Sequence, residues 1–350
     1  MPEHAMPQLY LVKKMVEAVL GSAFAKSAIH RGIPTPNPIL TPEERYPPGS
    51  RSPVAANQHG EVEVLPGGVD AIHWFVEASG MNWHFVTAGD PTRECVVLLH
   101  GLPESWYAWH RQIAALSKHF YVVAPDTKGY GQTDKRLELD YRHETMAQEL
   151  ADLIDKLGIE RFNLAGHDRG AVLADHLLAV QSMKGRVLRY VRMQQTAVEP
   201  HSPPVPPHHL FATRFGRMAF RSNSVPRLVF TGDYVKYPID EDVLRRLEYE
   251  FKFEGTAEAV SKYFATTNFE IELHDRHKRL FKYMTMPVLF LQGTDDPGQR
   301  PSEYERVSET VPTGRVQFID AGHFFHLERP EATNAAILEF LRQDATGSSS

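Results

Sequence analysis

The sequence predicts an α/β protein: a mostly parallel central sheet, helices on both faces, and one helical insertion. Three observations predict it. Cys95-Val96-Val97-Leu98-Leu99 is a continuous apolar run, the signature of a strand buried on both faces. Strand-like and helix-like stretches then alternate up to Met193, a spacing that implies parallel strands joined by right-handed crossovers. The rhythm stops after Thr196 and resumes at Pro287-Val288-Leu289-Phe290-Leu291, and the stretch between reads as helix, rich in Arg, Tyr and Phe.

Taken in order, residues 1–60 do not read as core. Leu9, Val12, Val16, Val19 and Leu20 fall on one face of an amphipathic helix, with Lys13, Lys14 and Glu17 among them. Charge breaks this stretch, which is wrong for a secretory signal. A proline-rich arm follows, with Pro34, Pro36, Pro38, Pro42, Pro47, Pro48 and Pro53. It is extended and unable to sit inside a sheet, so it reads as a strap over the body. From Val69 the pattern has period two: Ile72, Trp74 and Val76, a turn at Ser79-Gly80, then Trp83, Phe85 and Thr87. This is an antiparallel hairpin at a sheet edge.

After the apolar strand, His100-Gly101-Leu102-Pro103-Glu104-Ser105-Trp106 forms a loop, and a helix runs from about Trp109 to Ser117. Tyr121 to Ala124 is the next strand and leads into the turn Asp126-Thr127-Lys128-Gly129-Tyr130-Gly131. A helix near 144–157, a strand at Phe162 to Ala165 and a strand at Val187 to Met193 follow. Pro200, Pro203, Pro204, Pro206 and Pro207 make an extended exit into the insertion, and Arg315 to Ile319 with a helix near 331–343 close the chain. The expected division is 1–60 as an N-terminal extension, 61–197 with 283–345 as the core, and 198–282 as a helical lid.

Composition narrows the function. The chain has 350 residues, 42% apolar and 23% charged, ordinary values that allow a sizeable core. A net charge of −6 offers no attraction to nucleic acid or an anionic membrane. Cys95 is the single cysteine, so no internal disulfide or thiolate metal cluster can form, which leans towards a reducing, cytoplasmic setting. No apolar run approaches the roughly 20 residues of a membrane span.

The chemistry centres on Gly166-His167-Asp168-Arg169-Gly170, placed between a strand and a helix. Strand, sharp turn, helix is the setting of a nucleophile elbow, and both glycines suit it. The pattern is G-x-S-x-G with Asp168 in place of serine. A carboxylate there suits attack on an sp3 carbon better than acyl transfer. Past later strand ends come Gly293-Thr294-Asp295-Asp296-Pro297 and Asp320-Ala321-Gly322-His323-Phe324. His323 is placed to take a proton from water, since an imidazole titrates near neutrality. An acid must orient it, and Asp295 competes with Asp296 for that role. His326 falls at the start of a helix and reads as structural.

These stretches resemble the α/β-hydrolase family, and more narrowly its aspartate-nucleophile branch of epoxide hydrolases and dehalogenases, over about 70–343. The resemblance implies Asp168 as nucleophile, His323 as base and Asp296, three residues from its glycine, as the orienting acid. It implies an oxyanion hole from the backbone N–H groups of Leu102 and Arg169. For an epoxide it implies two lid tyrosines that donate to the departing oxygen. Tyr263 matches the second, whereas the position of the first holds Phe211, with His209 or His208 as a substitute donor. Trp106 and Tyr107 are expected to line an apolar pocket for a small organic epoxide. Haloalkane dehalogenases of this branch carry Trp where Arg169 stands. Fluoroacetate-type dehalogenases carry Arg there with a second Arg three positions on, where this chain has Val172. The expected function is epoxide hydrolysis; the alternatives are such a dehalogenase and a non-catalytic ligand-binding relative. No metal or organic cofactor is implied.

Overall fold

The computed structural model describes residues 56–195, 208–222, 224–268, 271–272, 276–299 and 301–343. The N-terminal helix and proline-rich arm, and the prolines at 200–207, lie outside them. The strands are β1 Val62–Leu65, β2 Val69–Ala78, β3 Met81–Ala88, β4 Cys95–Leu99, β5 Tyr121–Pro125, β6 Phe162–His167, β7 Val187–Met193, β8 Val288–Gly293 and β9 Gly314–Ile319. They form one sheet in the order β1-β2-β3-β5-β4-β6-β7-β8-β9. The hairpin strands β1 to β3 are antiparallel, and β3 joins β5 antiparallel; from β5 to β9 every pairing is parallel.

The helices are α1 His110–Leu116, α2 His143–Lys156, α3 Arg169–Leu177, α4 His208–Phe211, α5 Arg214–Arg221, α6 Ser224–Thr231, α7 Glu241–Glu250, α8 Thr256–Thr266, α9 Arg276–Leu280, α10 Val307–Thr310, α11 Phe325–Glu328 and α12 Pro330–Leu341. Successive residues of the central strands feed opposite faces. Val97, Leu99, Leu164 and Phe290 enter the core shared with α2, α3 and the helices between β7 and β8. Val96, Leu98, Ala165 and Leu289 enter the core under α1 and α12. Burial on both faces is why β4 reads as an unbroken apolar run, each buried Val or Leu contributing about 1.5–3 kcal/mol.

The hairpin departs from its sequence pattern. Ile72, Trp74 and Val76 are half-buried, while Ala71 and His73, which flank Ile72, are fully buried. His73 is accommodated because its Nδ1 meets Nε2 of His84 at 2.9 Å and its ring packs edge-on against Trp106. The edge strand β1 is absent from the sequence reading: it has four residues, and its valines face solvent.

The candidate active site

Strand β6 ends at His167, and Asp168 turns the chain into α3 with φ 46° and ψ −114°. Positive φ in a residue other than glycine costs about 1–3 kcal/mol and persists only where surroundings impose it. Here the Asp168 N–H donates to Met193 O at 3.2 Å, and its carbonyl accepts from the N–H groups of Ala171 and Val172. Gly170 lets α3 close down on β4: a Cβ there would lie 2.1 Å from Leu99 O. The turn lifts the Asp168 carboxylate to the carboxyl edge of the sheet.

Both carboxylate oxygens are held. Oδ2 accepts from Leu102 N–H at 3.1 Å, and Oδ1 accepts from Gln195 Nε2 at 3.0 Å. Gln195 lies two residues beyond β7 and is absent from the sequence reading; its position at the carboxyl end of a neighbouring parallel strand is the signal that could have found it. Its Oε1 accepts from Arg276 Nη2 at 2.9 Å. The Arg169 Nε lies 3.8 Å from Asp168 Oδ1, and the guanidinium also hydrogen-bonds Tyr263 and packs over Phe264.

The loop carrying Leu102 is braced by buried groups. Glu104 accepts from Gly101 N–H through Oε2, 3.0 Å from His167 Nδ1, and Nε2 of that ring donates to His323 O. The His100 Nε2 accepts from Thr127 N–H, so its proton sits on Nδ1 and goes to Gly101 O. His326 stands 3.0 Å from Glu104, off the line of a good hydrogen bond, and burial pulls its pKa down to about 4. One brace thus ties the Gly101–Leu102 loop, the elbow and the His323 loop together.

His323 reaches the site from the loop after β9, and its Nδ1 donates to Asp296 Oδ2 at 3.0 Å. Asp296 Oδ1 accepts from Gly298 N–H at 2.8 Å, which fixes the carboxylate. Burial pulls the His323 pKa down, but the Asp296 charge and hydrogen bond outweigh it, with Asp168 adding to them, and the net shift is upward. Asp295, by contrast, is exposed and pairs with Lys236 at 2.8 Å. Asp168, His323 and Asp296 are 6%, 8% and 4% exposed, so their charges act with little screening by water.

Of the remaining expected residues, Tyr263 projects from α8, its hydroxyl 2.7 Å from His143 Nε2 and hydrogen-bonded to Arg169; burial pushes its pKa up to about 12. Phe211 packs on Phe220 and Phe264. The side chains of His208 and His209 lie outside the described residues. Trp106 and Tyr107, expected at the substrate, pack elsewhere. Trp106 is wholly buried against His73, and Tyr107 stacks on His110 beneath Arg246, because the edge hairpin and α7 close over this loop. Among the described residues, two groups bring ligand-type atoms within 4.8 Å of one another: Glu104, His167 and His326, and His143, His176 and Glu272. In the first, Glu104 Oε2 and both His167 nitrogens bond protein groups, and the second lies among Arg169, Arg276 and Arg279, surroundings unfavourable to a cation.

The described helices include none long and apolar enough to cross a membrane. A model of the alpha/beta hydrolase fold family matches residues 94–330. The chain belongs to that family. Among its relatives, it is 27% identical to Epoxide hydrolase 3 of Xenopus tropicalis over 319 residues, 84% of this chain and 86% of that protein. It is also 27% identical to Epoxide hydrolase A of Mycobacterium tuberculosis over 323 residues, 76% of this chain and 96% of that one. Among solved structures, Cfl2 of Burkholderia cenocepacia superposes with a TM-score of 0.67 at 25% identity, covering 81% of this chain and 99% of Cfl2. The epoxide hydrolase CorEH superposes at 0.63, also with 25% identity, covering 77% and 98%. Asp168, Leu102, Asp296 and His323 of this α/β-hydrolase all fall inside the matched span.

Proposed function

We propose that this α/β-hydrolase opens an organic epoxide to a vicinal diol through a covalent ester on Asp168. The observation that carries the reading is a carboxylate at the elbow, its Oδ2 on the Leu102 N–H, in a site where His323 is paired to Asp296. Relatives named as epoxide hydrolases over most of their length support it. A carboxylate that attacked an ester carbonyl would give an anhydride, whereas attack on an epoxide carbon gives a stable ester that splits one hard step into two.

In the first step Asp168 Oδ1 leaves Gln195 and bonds to an epoxide carbon. The C–O bond breaks, and the oxygen takes the Tyr263 hydroxyl proton. In the second, His323 Nε2 removes a proton from water, and the hydroxide attacks Cγ of Asp168. The negative charge gathers on Oδ2, where the N–H of Leu102 already points and that of Arg169 completes the hole. Collapse breaks the Cγ–Oδ1 bond, and the departing alkoxide takes the proton of the newly added hydroxyl, which frees the diol and leaves Asp168 as the carboxylate.

The test is intact-protein mass on His323→Gln incubated with styrene oxide and, separately, with fluoroacetate. The expected adduct carries the whole epoxide mass on Asp168, because alkylation proceeds and hydrolysis stalls. A fluoroacetate adduct with release of fluoride would instead make the enzyme a dehalogenase. No adduct from either would favour a ligand-binding role.

A further inference from the structure

Behind Tyr263 lies a second buried polar cluster that the nucleophile, base and acid do not use. The Tyr263 hydroxyl is 2.7 Å from His143 Nε2. The His143 ring stacks face to face on His176, centroids 4.8 Å apart and planes 15° apart. The two rings share one carboxylate: Glu272 Oε2 is 3.1 Å from His176 Nε2 and 3.7 Å from His143 Nδ1. His176 and Arg279 then line a cavity of about 360 Å³ that opens at the surface, and Arg279 reaches Glu272 at 3.6 Å. The cluster draws on four separate segments, α2, α3, α8 and the residues before α9. It runs from the reaction side of Tyr263 to solvent with one gap, the 3.7 Å between His143 Nδ1 and Glu272.

We propose that His143, backed by Glu272 and His176, is the proton relay of Tyr263, a positioning residue that holds the phenol oxygen and returns its proton from the surface cavity. This rests on the reading of Tyr263 as the ring-opening acid. Each turnover consumes a proton there. The epoxide oxygen leaves with the Tyr263 hydrogen, and a phenolate remains beside the Arg169 guanidinium. His323 acquires a proton from water in the second step, but it sheds that proton on its own side of the site. Neutral imidazole is donor at one nitrogen and acceptor at the other, so His143 can give its Nε2 proton to the phenolate while Nδ1 takes one up. That proton comes from water in the cavity by way of His176 and the Glu272 carboxylate, which swings inward to close the 3.7 Å gap. One proton enters through the relay and one leaves through His323, and the net reaction is epoxide plus water to diol.

The surroundings favour the neutral ring that a relay needs. His143 is faced by His176 and Arg169 from α3, Arg276 from α9, Glu272, and Tyr263 from α8. Burial first, then the neighbouring His176, pull its pKa down to about 3 despite the Glu272 charge.

Rapid-quench mass measurement with styrene oxide on the wild type, Tyr263→Phe and His143→Gln separates the possibilities. Tyr263→Phe is expected to slow first-turnover adduct formation about 100-fold or more. The glutamine of His143→Gln can still hydrogen-bond the phenol but cannot pass a proton through. That variant should form the first adduct within about threefold of the wild-type rate yet lose about tenfold in kcat, with added imidazole restoring part of it. Wild-type turnover by His143→Gln, or equal loss in both phases, would overturn the relay and leave Tyr263 as the acid. Wild-type adduct formation by Tyr263→Phe would remove the acid and the relay together. Glu272→Gln, measured alongside, should show the same split if His143→Gln does not fold, and equal loss in both phases would again sink the relay.

Discussion

At the scale of single residues, the site works by pairing groups whose ionisation depends on each other. In the proposed mechanism His323 must be neutral to take a proton from water, yet the Asp296 charge beside it raises its pKa above the ordinary 6.5. Hydrolysis of the ester therefore grows as pH rises through a value above 6.5 and is lost below it. In Asp296→Asn the main upward pull is gone and, with Asp168 esterified, only the Glu104 charge still opposes burial, so the acid limb of that step should move down. The plateau rate should drop about 100-fold or more, because the ring loses its fixed tautomer and the partner for its cation. Single-turnover hydrolysis of a preformed adduct across pH checks both outcomes. An acid limb that stays put would mean another group sets it.

At the scale of elements, the elbow depends on how closely α3 approaches β4. Gly170 is in contact with the backbone of Leu99 and His100, where an added Cβ would meet oxygens at 2.1 and 2.6 Å. Backbone cannot rotate aside as a side chain can, so Gly170→Ala must push α3 away and carry Asp168 with it. The expected loss is about 1–3 kcal/mol of stability or more. It should come with a larger loss of activity, because the Leu102 N–H no longer meets Oδ2. Urea unfolding together with the rate of adduct formation measures both. Gly101 is constrained likewise: a Cβ there would be 2.6 Å from that of Asp168. The Gly101–Leu102 loop and Asp168 are thus packed as one unit.

At the scale of the whole molecule, the sheet and the helices between β7 and β8 are joined by buried charge. Asp175 on α3 takes Arg192 of β7 on both oxygens, at 3.0 and 2.9 Å, and Arg276 of α9 stands 3.4 Å away. Arg276 in turn holds Gln195, which holds Asp168. Farther along the edge, Arg246 of α7 grips Glu63 of β1 with two bonds of 3.0 Å. Removing the charge in Asp175→Asn leaves two buried guanidiniums facing each other, and stability should fall by about 3–5 kcal/mol. Chemical denaturation checks this. A fall under about 1 kcal/mol would mean that water reaches the pair and screens it.

What the sequence determined by itself was local. The strand, turn and helix of the elbow, the apolar run of β4 and the period-two hairpin each occupy a few adjacent residues. Backbone geometry and burial act on them directly. The order Asp168, Asp296, His323 was legible for the same reason, since each residue follows its own strand. Tertiary structure decided which of those strand ends are neighbours. Gln195 meets Asp168 across 27 residues because β7 lies beside β6, and His143 meets Tyr263 across 120 because α8 folds back over α2. The same closure of distant segments turned Trp106 and Tyr107 inward to His73 and Arg246. Sequence spacing carries no record of such contacts, because they arise from packing between elements and not from the chain within them.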